Sequence, residues 1–138
     1  MAVNQGWNFK AFEREFNREV KILPSIIGET ARNHFLVSFT KLDGFNDRPF
    51  VRWKARKRKD KGRKLLVKTS RLKQGVKKKV IPNGVRIFNN VVYASRHNFG
   101  LKGMPERKFI GESSVLNKRI QKMIFNRGKK LINRVRQA

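Results

Sequence analysis

The chain has 138 residues, with 35 Lys plus Arg against 9 Asp plus Glu and no cysteine, for a formal net charge of +26. These totals exclude a disulfide framework, a thiolate metal site and a cysteine nucleophile; no window approaches the ~20 apolar residues of a membrane helix. So much positive charge on a small body repels itself, which points to an anionic partner: nucleic acid first, an acidic protein surface second, an anionic membrane third.

The charge is uneven. Residues 1–50 carry 7 basic and 6 acidic residues, 51–80 carry 15 and 1, and 81–138 carry 13 and 2. The opening residues show neither the apolar core of a signal peptide nor an acid-free transit helix, and the absence of cysteine fits a protein made and used in a reducing cytosol. Phe9, Phe12, Phe16 and Val20 recur at helical spacing behind Asn8, a residue suited to an N-cap. Pro24 and Ser25 open a second predicted helix, whose Ile27, Ala31, Phe35 and Leu42 share a face and which Asp43-Gly44 closes. His34, beside that stripe, reads as a partly exposed helix histidine.

Residues 51–64, VRWKARKRKDKGRK, hold nine basic residues and no apolar periodicity. Such a run is a solvated loop, mobile until it meets its partner. Its Arg52, Lys54, Arg56, Lys57, Arg58, Lys59, Lys61, Arg63 and Lys64 are candidate contacts to DNA or to an acidic partner. Trp53 reads as the anchor of the loop on the core. VKKKVI (76–81) and VRIF (85–88) flank a Pro-Asn-Gly turn and predict a β-hairpin. Lys77, Lys78 and Lys79 protect its edge from pairing with other chains and extend the cationic surface.

VVYA (91–94) predicts a strand that turns into a short helix at YASRHNFG (93–100), and an irregular loop follows through Gly103 and Pro105. Ser113 caps a final helix with an apolar stripe of Leu116, Ile120, Met123, Ile124, Leu131 and Val135. Eight basic residues from Lys118 to Arg136 cover its other faces. Gly128 predicts a bend or an early end.

Catalytic patterns are missing. There is no HExxH or paired-acid spacing, no phosphate-binding glycine loop, and no acid placed to complete a serine–histidine arrangement with His97. His97 reads as a hydrogen-bonded structural residue, and no metal or cofactor is expected. GLKG (100–103) matches the GxxG clamp of KH domains, but that clamp joins two helices, and here the chain runs on into Met104-Pro105. No base-reading motif is present.

KLLVKTSRLKQGV (64–76), VRIFNNVVYASRHNFG (85–100) and MPERKFIG (104–111), followed by the amphipathic helix, resemble the phage virion-morphogenesis family. These are small tail-completion or neck proteins of Mu-like and lambdoid tailed bacteriophages. The matching positions are Thr69 and Leu72, then Tyr93, Ala94, His97, Phe99 and Gly100, then Arg107, Phe109 and Gly111. Ser70 stands where the family usually has glycine, and Lys108 where it often has proline.

The resemblance covers about residues 50–138. It implies an α+β fold, with N-terminal helices and a C-terminal amphipathic helix packed on a small antiparallel β-sheet, and a long basic loop. One domain is expected over 1–138: a helical lead-in (1–45), the mobile basic loop (51–64), then hairpin, corner and terminal helix (65–138). The corner reads as a hinge in which Tyr93 and Phe99 pack, His97 hydrogen-bonds and Gly100 lets the chain reverse.

The implied role is non-enzymatic. Copies would form a sixfold or twelvefold ring in the virion neck, after assembly in the host cytoplasm. Partners would be head-connector and tail-terminator or tail-tube proteins, and double-stranded DNA crossing the channel without sequence preference. Composition supports an alternative, a free non-specific nucleic-acid-binding protein of ribosomal or nucleoid type. Membrane-surface binding by the terminal helix ranks below both, because its stripe lacks tryptophan.

Overall fold

In the computed structural model, which describes residues 6–57, 65–67 and 70–137, Asn8 starts the first helix by accepting the Ala11 N–H at 3.0 Å. That helix, α1 (Phe9–Val37), runs unbroken through Pro24, so the two predicted helices are one. A helix-interior proline removes a hydrogen bond and crowds the carbonyl four residues earlier, at a cost of about 3 kcal/mol. Packing on both sides of Pro24 outweighs it: Ala11 is buried before it, and Gly28, Ala31, His34 and Phe35 after it.

A π-helical turn (Ser38–Leu42) follows, and Asp43 closes it in a left-handed conformation, its N–H on the Ser38 carbonyl at 3.0 Å. The wider turn shifts the buried face. Phe39 is fully enclosed, while Leu42, expected on the face of Ala31 and Phe35, is only half-buried.

Two strands that the sequence did not announce, β1 (Gly44–Phe45) and β2 (Val51–Arg52), then pair antiparallel. After the short α2 (Arg71–Gln74) comes the expected hairpin, β3 (Val76–Ile81) with β4 (Gly84–Asn89), in register from Val76↔Asn89 to Ile81↔Gly84. The strand predicted at 91–94 is a turn instead. The Asn89 side chain ends β4 by donating to the Leu72 carbonyl at 2.6 Å and accepting the Val91 N–H at 2.9 Å. The short helix α3 (Ala94–Phe99) and the long α4 (Ser114–Gln137) complete an α+β fold with two small two-stranded sheets rather than one.

The hairpin lies against α1 at Gly28, where an added Cβ would come 2.6 Å from a Val85 methyl. Around that contact Arg32 Nε donates to the Val76 carbonyl at 3.0 Å, and the Lys78 ammonium reaches Ser25 and the Glu29 carboxylate, the latter at 3.2 Å. The main core gathers Phe39, Trp53, Leu72, Val76, Ala94 and Phe109. A neighbouring group joins Ala31, Phe35, Phe45 and Leu116, and a small third one joins Ala11, Leu131 and Val135.

Three expectations for the helices need correction. Phe9, Phe16 and Val20 have helical period but are 75%, 49% and 52% exposed, because among the described residues nothing covers that face. Gly128 does not interrupt α4: it faces solvent, so it lowers helix stability without cutting the hydrogen-bonded ladder. Ile124, assigned to the buried stripe of α4, is exposed, while Leu116, Leu131 and Val135 are buried and Ile120 and Met123 half-buried.

His34 is also corrected, from partly exposed to 1% exposed. Its Nε2–H donates to the Asn46 carbonyl at 2.7 Å and lies 3.2 Å from Ser113 Oγ, and Nδ1 faces the Asn46 amide nitrogen at 3.3 Å. Loss of water around the ring lowers its pKa below the ordinary histidine value. Ser113 caps α4 as expected, its Oγ accepting the Leu116 N–H at 3.2 Å. Asp47 adds a second cap, taking the Ser114 hydroxyl at 2.8 Å and the Val115 N–H at 3.3 Å. Desolvation raises the Asp47 pKa, but bonds from the Arg48 and Val115 backbone and the two serines outweigh it and bring it to about 2.

Candidate nucleic-acid interface

The cationic run begins at β2, and three side chains fix its root. Trp53 is 4% exposed and donates its indole N–H to the Lys108 carbonyl at 2.8 Å, with Phe39 edge-on to the indole at 5.5 Å. It anchors the loop as the sequence suggests. Arg107 is 9% exposed and donates Nε to the Lys54 carbonyl at 2.9 Å and Nη2 to the Ala55 carbonyl at 3.4 Å. Burial and then the charge of Arg56 lower its pKa, yet a guanidinium remains a cation at neutral pH. Among the described residues no carboxylate pairs with it.

The third side chain is Asn98, which sequence reasoning missed. Its Oδ1 accepts the Phe109 and Ile110 N–H groups at 2.9 and 3.0 Å, and its Nδ2 donates to the Ile110 carbonyl at 3.0 Å. The 107–110 segment is thereby held beside α3. An amide side chain carries two donors and a carbonyl oxygen with two lone pairs, so one asparagine can satisfy several main-chain groups at once.

His97, expected to hydrogen-bond at this corner, shows no such bond from its ring among the described residues. Its ring meets Tyr93 edge-on at 5.8 Å, its Nδ1 is buried with no hydrogen-bond partner among the described residues, and burial lowers its pKa. Its carbonyl takes the Arg107 N–H at 2.7 Å. Tyr93 packs against the main core and Ala94 lies in it, but Phe99 is 64% exposed and packs no corner. Gly100 reverses the chain as expected, at φ +67, where an added Cβ would strike the Glu106 backbone at 2.9 Å. Gly111 leaves room for the Lys108 side chain, whose ammonium lies 4.5 Å over the Phe45 ring.

The cations fall into distinct groups. Arg52, Lys54 and Lys57 are exposed and Arg56 is half-buried; Arg58, Lys59, Lys61, Arg63, Lys64 and the motif residue Thr69 lie outside the described residues. On the hairpin, Lys77 and Lys79 face outward with Arg86. Lys79 stands directly opposite Arg86 in the ladder, a like-charge pairing that destabilises a sheet unless an anion screens it. Lys78 is not part of this surface. It points at α1 and pairs with Glu29, which corrects its assignment as partner-facing. Lys118, Arg119, Lys122, Lys129 and Lys130 form a third exposed group on α4.

The carboxylates that form ion pairs lie on α1. All six ion pairs among the described residues use Glu15, Glu19 or Glu29 of α1. Lys54, Lys77, Lys79 and Arg86 have no carboxylate partner there. Among the described residues no three acids or histidines gather as a metal site, and no helix is long and apolar enough to cross a membrane. Comparison with family models, with curated proteins and with solved structures gives no match.

Proposed function

We propose that the chain is a non-enzymatic assembly subunit of a tailed-phage virion. It is a tail-completion or neck protein whose copies form a sixfold or twelvefold ring around the DNA channel, between head-connector and tail-terminator or tail-tube proteins. The observation that carries this reading is the convergence of the motif residues. Tyr93, Ala94, Gly100, Arg107 and Phe109 build one corner, with Leu72 in the same core, and that corner fixes the root of the basic run. A ring would repeat this run once per subunit and concentrate positive potential where duplex DNA crosses.

Deleting the gene from the phage that carries it tests the reading. Packaged heads and finished tails should accumulate separately, without infectious particles, and added purified protein should restore joining. Normal infectious particles from the deletion strain would falsify it.

A second reading, a free non-specific nucleic-acid-binding protein, is favoured by one observation: α4 carries its own exposed cations, on an element separate from the loop. Its mark would be a monomer in solution that binds duplex DNA with a steep salt dependence and needs no assembled ring.

A further inference from the structure

The root of the basic run and the turn at 103–107 face each other across a cleft of about 450 Å³. Lys54, Arg56 and Lys57 line one side, and Met104, Pro105 and Arg107 the other. We propose that this cleft is a seat for a backbone phosphate of duplex DNA, the place where the loop first grips its polyanion. The inference rests on the reading that the basic run meets nucleic acid, and it names the residues that do so.

Among the described residues Lys54, Arg56, Lys57 and Arg107 line the cleft and no carboxylate does; Glu106, next in sequence, lines a different hollow with Asp47 and Lys108. Arg107 spends its described hydrogen bonds on two main-chain carbonyls, so it fixes the shape of the seat and leaves its charge uncompensated. Holding like charges together in a partly desolvated wall is costly, and an anion entering the cleft relieves that repulsion. Lys54 and Lys57 are exposed, flexible ammonium groups able to close on a phosphate oxygen.

Two features favour a nucleic-acid phosphate over an acidic peptide. Met104 and Pro105 give the cleft an apolar lip suited to a sugar. The sequence also continues from Lys57 into Arg58, Lys59, Lys61, Arg63 and Lys64, with Asp60 the one acid among them, a series that matches a polymer carrying one charge per repeat.

The experiment uses the full chain and a duplex of about 20 base pairs, with affinity followed by fluorescence anisotropy across a salt series. The double variant Lys54→Gln/Lys57→Gln is compared with Lys10→Gln/Lys21→Gln, which removes the same charge from exposed positions on α1. Circular dichroism checks that both stay folded. The cleft pair should lower affinity at least about tenfold at ~0.1 M salt and reduce the slope of log K against log salt by about 1–2. The α1 pair should lower affinity less than about threefold.

Equal losses in the two pairs would overturn the seat while leaving DNA binding intact. Absence of salt-dependent binding by the unaltered chain would remove the nucleic-acid reading itself. Displacement of DNA by polyglutamate at equal charge, with the same dependence on Lys54 and Lys57, would assign the cleft to an acidic protein instead.

Discussion

The C-terminal half of α1 lies among buried rings and satisfied amides, whereas its N-terminal half rests on α4 through Ala11, Leu131, Val135 and a set of ion pairs. Both halves show apolar residues at helical spacing, yet only one becomes core. The hairpin, β1 and the start of α4 cover Gly28 to Phe39, while Phe9, Phe16 and Val20 remain in solvent. Periodicity states which side chains share a face; burial needs a second surface. Where that surface is thin, the chain uses charge. Glu19 meets Arg127 through two bonds at 2.9 and 3.1 Å, and Arg134 bridges Glu15 and Glu19.

The largest effect should come from emptying the packed end. Phe39 is fully enclosed between Trp53 and Phe109. Phe39→Ala should therefore cost about 3–5 kcal/mol in urea unfolding. Phe9→Ala, at the open end, should stay within about 0.5 kcal/mol. Similar losses for the two would erase the contrast.

The next effect separates two neighbours in one motif. Asn98→Ala strands the Phe109 and Ile110 N–H groups and should cost about 2–4 kcal/mol. His97→Ala removes an edge contact and an unpartnered nitrogen, and should cost about 1 kcal/mol or less. The reverse order in thermal or urea melts would contradict the placement of both side chains.

The ion-paired end gives a smaller, condition-dependent signal. Glu19→Gln should cost about 0.5–1 kcal/mol at low ionic strength, and the difference should shrink as added salt screens the pair. The Glu19 pKa lies below its ordinary 4.5, chiefly through the hydrogen bond from Arg127. Its contribution is thus complete above that ordinary value and fades as pH falls through the lower folded value. Stability profiles from pH ~3 to 6 should be flatter on the acid side in Glu19→Gln than in the unaltered chain. Identical profiles would show that the pair adds nothing.

The smallest change is a gain. A Cβ added at Gly128 meets nothing within 4 Å. Gly128→Ala should therefore raise stability by about 0.5–1 kcal/mol. A loss would mean that the outer face of α4 is covered by something in solution.

Legibility from sequence followed the same divide. Asn8, Ser113, the hairpin and the Trp53 anchor were readable because each depends on local chemistry: a cap, a turn, a large side chain beside a charged run. Pro24 misled because the helix-breaking rule is local, whereas packing on both sides of it is not. His34 misled for a related reason. Its partners, Asn46 and Ser113, lie 12 and 79 residues away, and no spacing within α1 reveals them. At the candidate interface, Lys54, Arg56 and Lys57 were identifiable by charge alone. The inward turn of Lys78 was not, since it depends on how the hairpin meets Gly28. Asn98 was not, because the main-chain groups it satisfies, at Phe109 and Ile110, lie 11 and 12 residues away.

The bonds at the loop root also have a mechanical meaning. Trp53 is tied to the Lys108 carbonyl, while Lys54 and Ala55 are tied to the Arg107 guanidinium. Two consecutive stretches, 53–55 and 107–108, are thus fastened at several points along their length, and a pull on Lys57 loads those fastenings together. Asn98 passes the load from this segment into α3 and the main core. Traction from a moving polymer would be borne by the body of the protein, the hairpin's Val76 included. With Arg107 changed to methionine, the indole bond would stand alone, and the clamp would become a swivel.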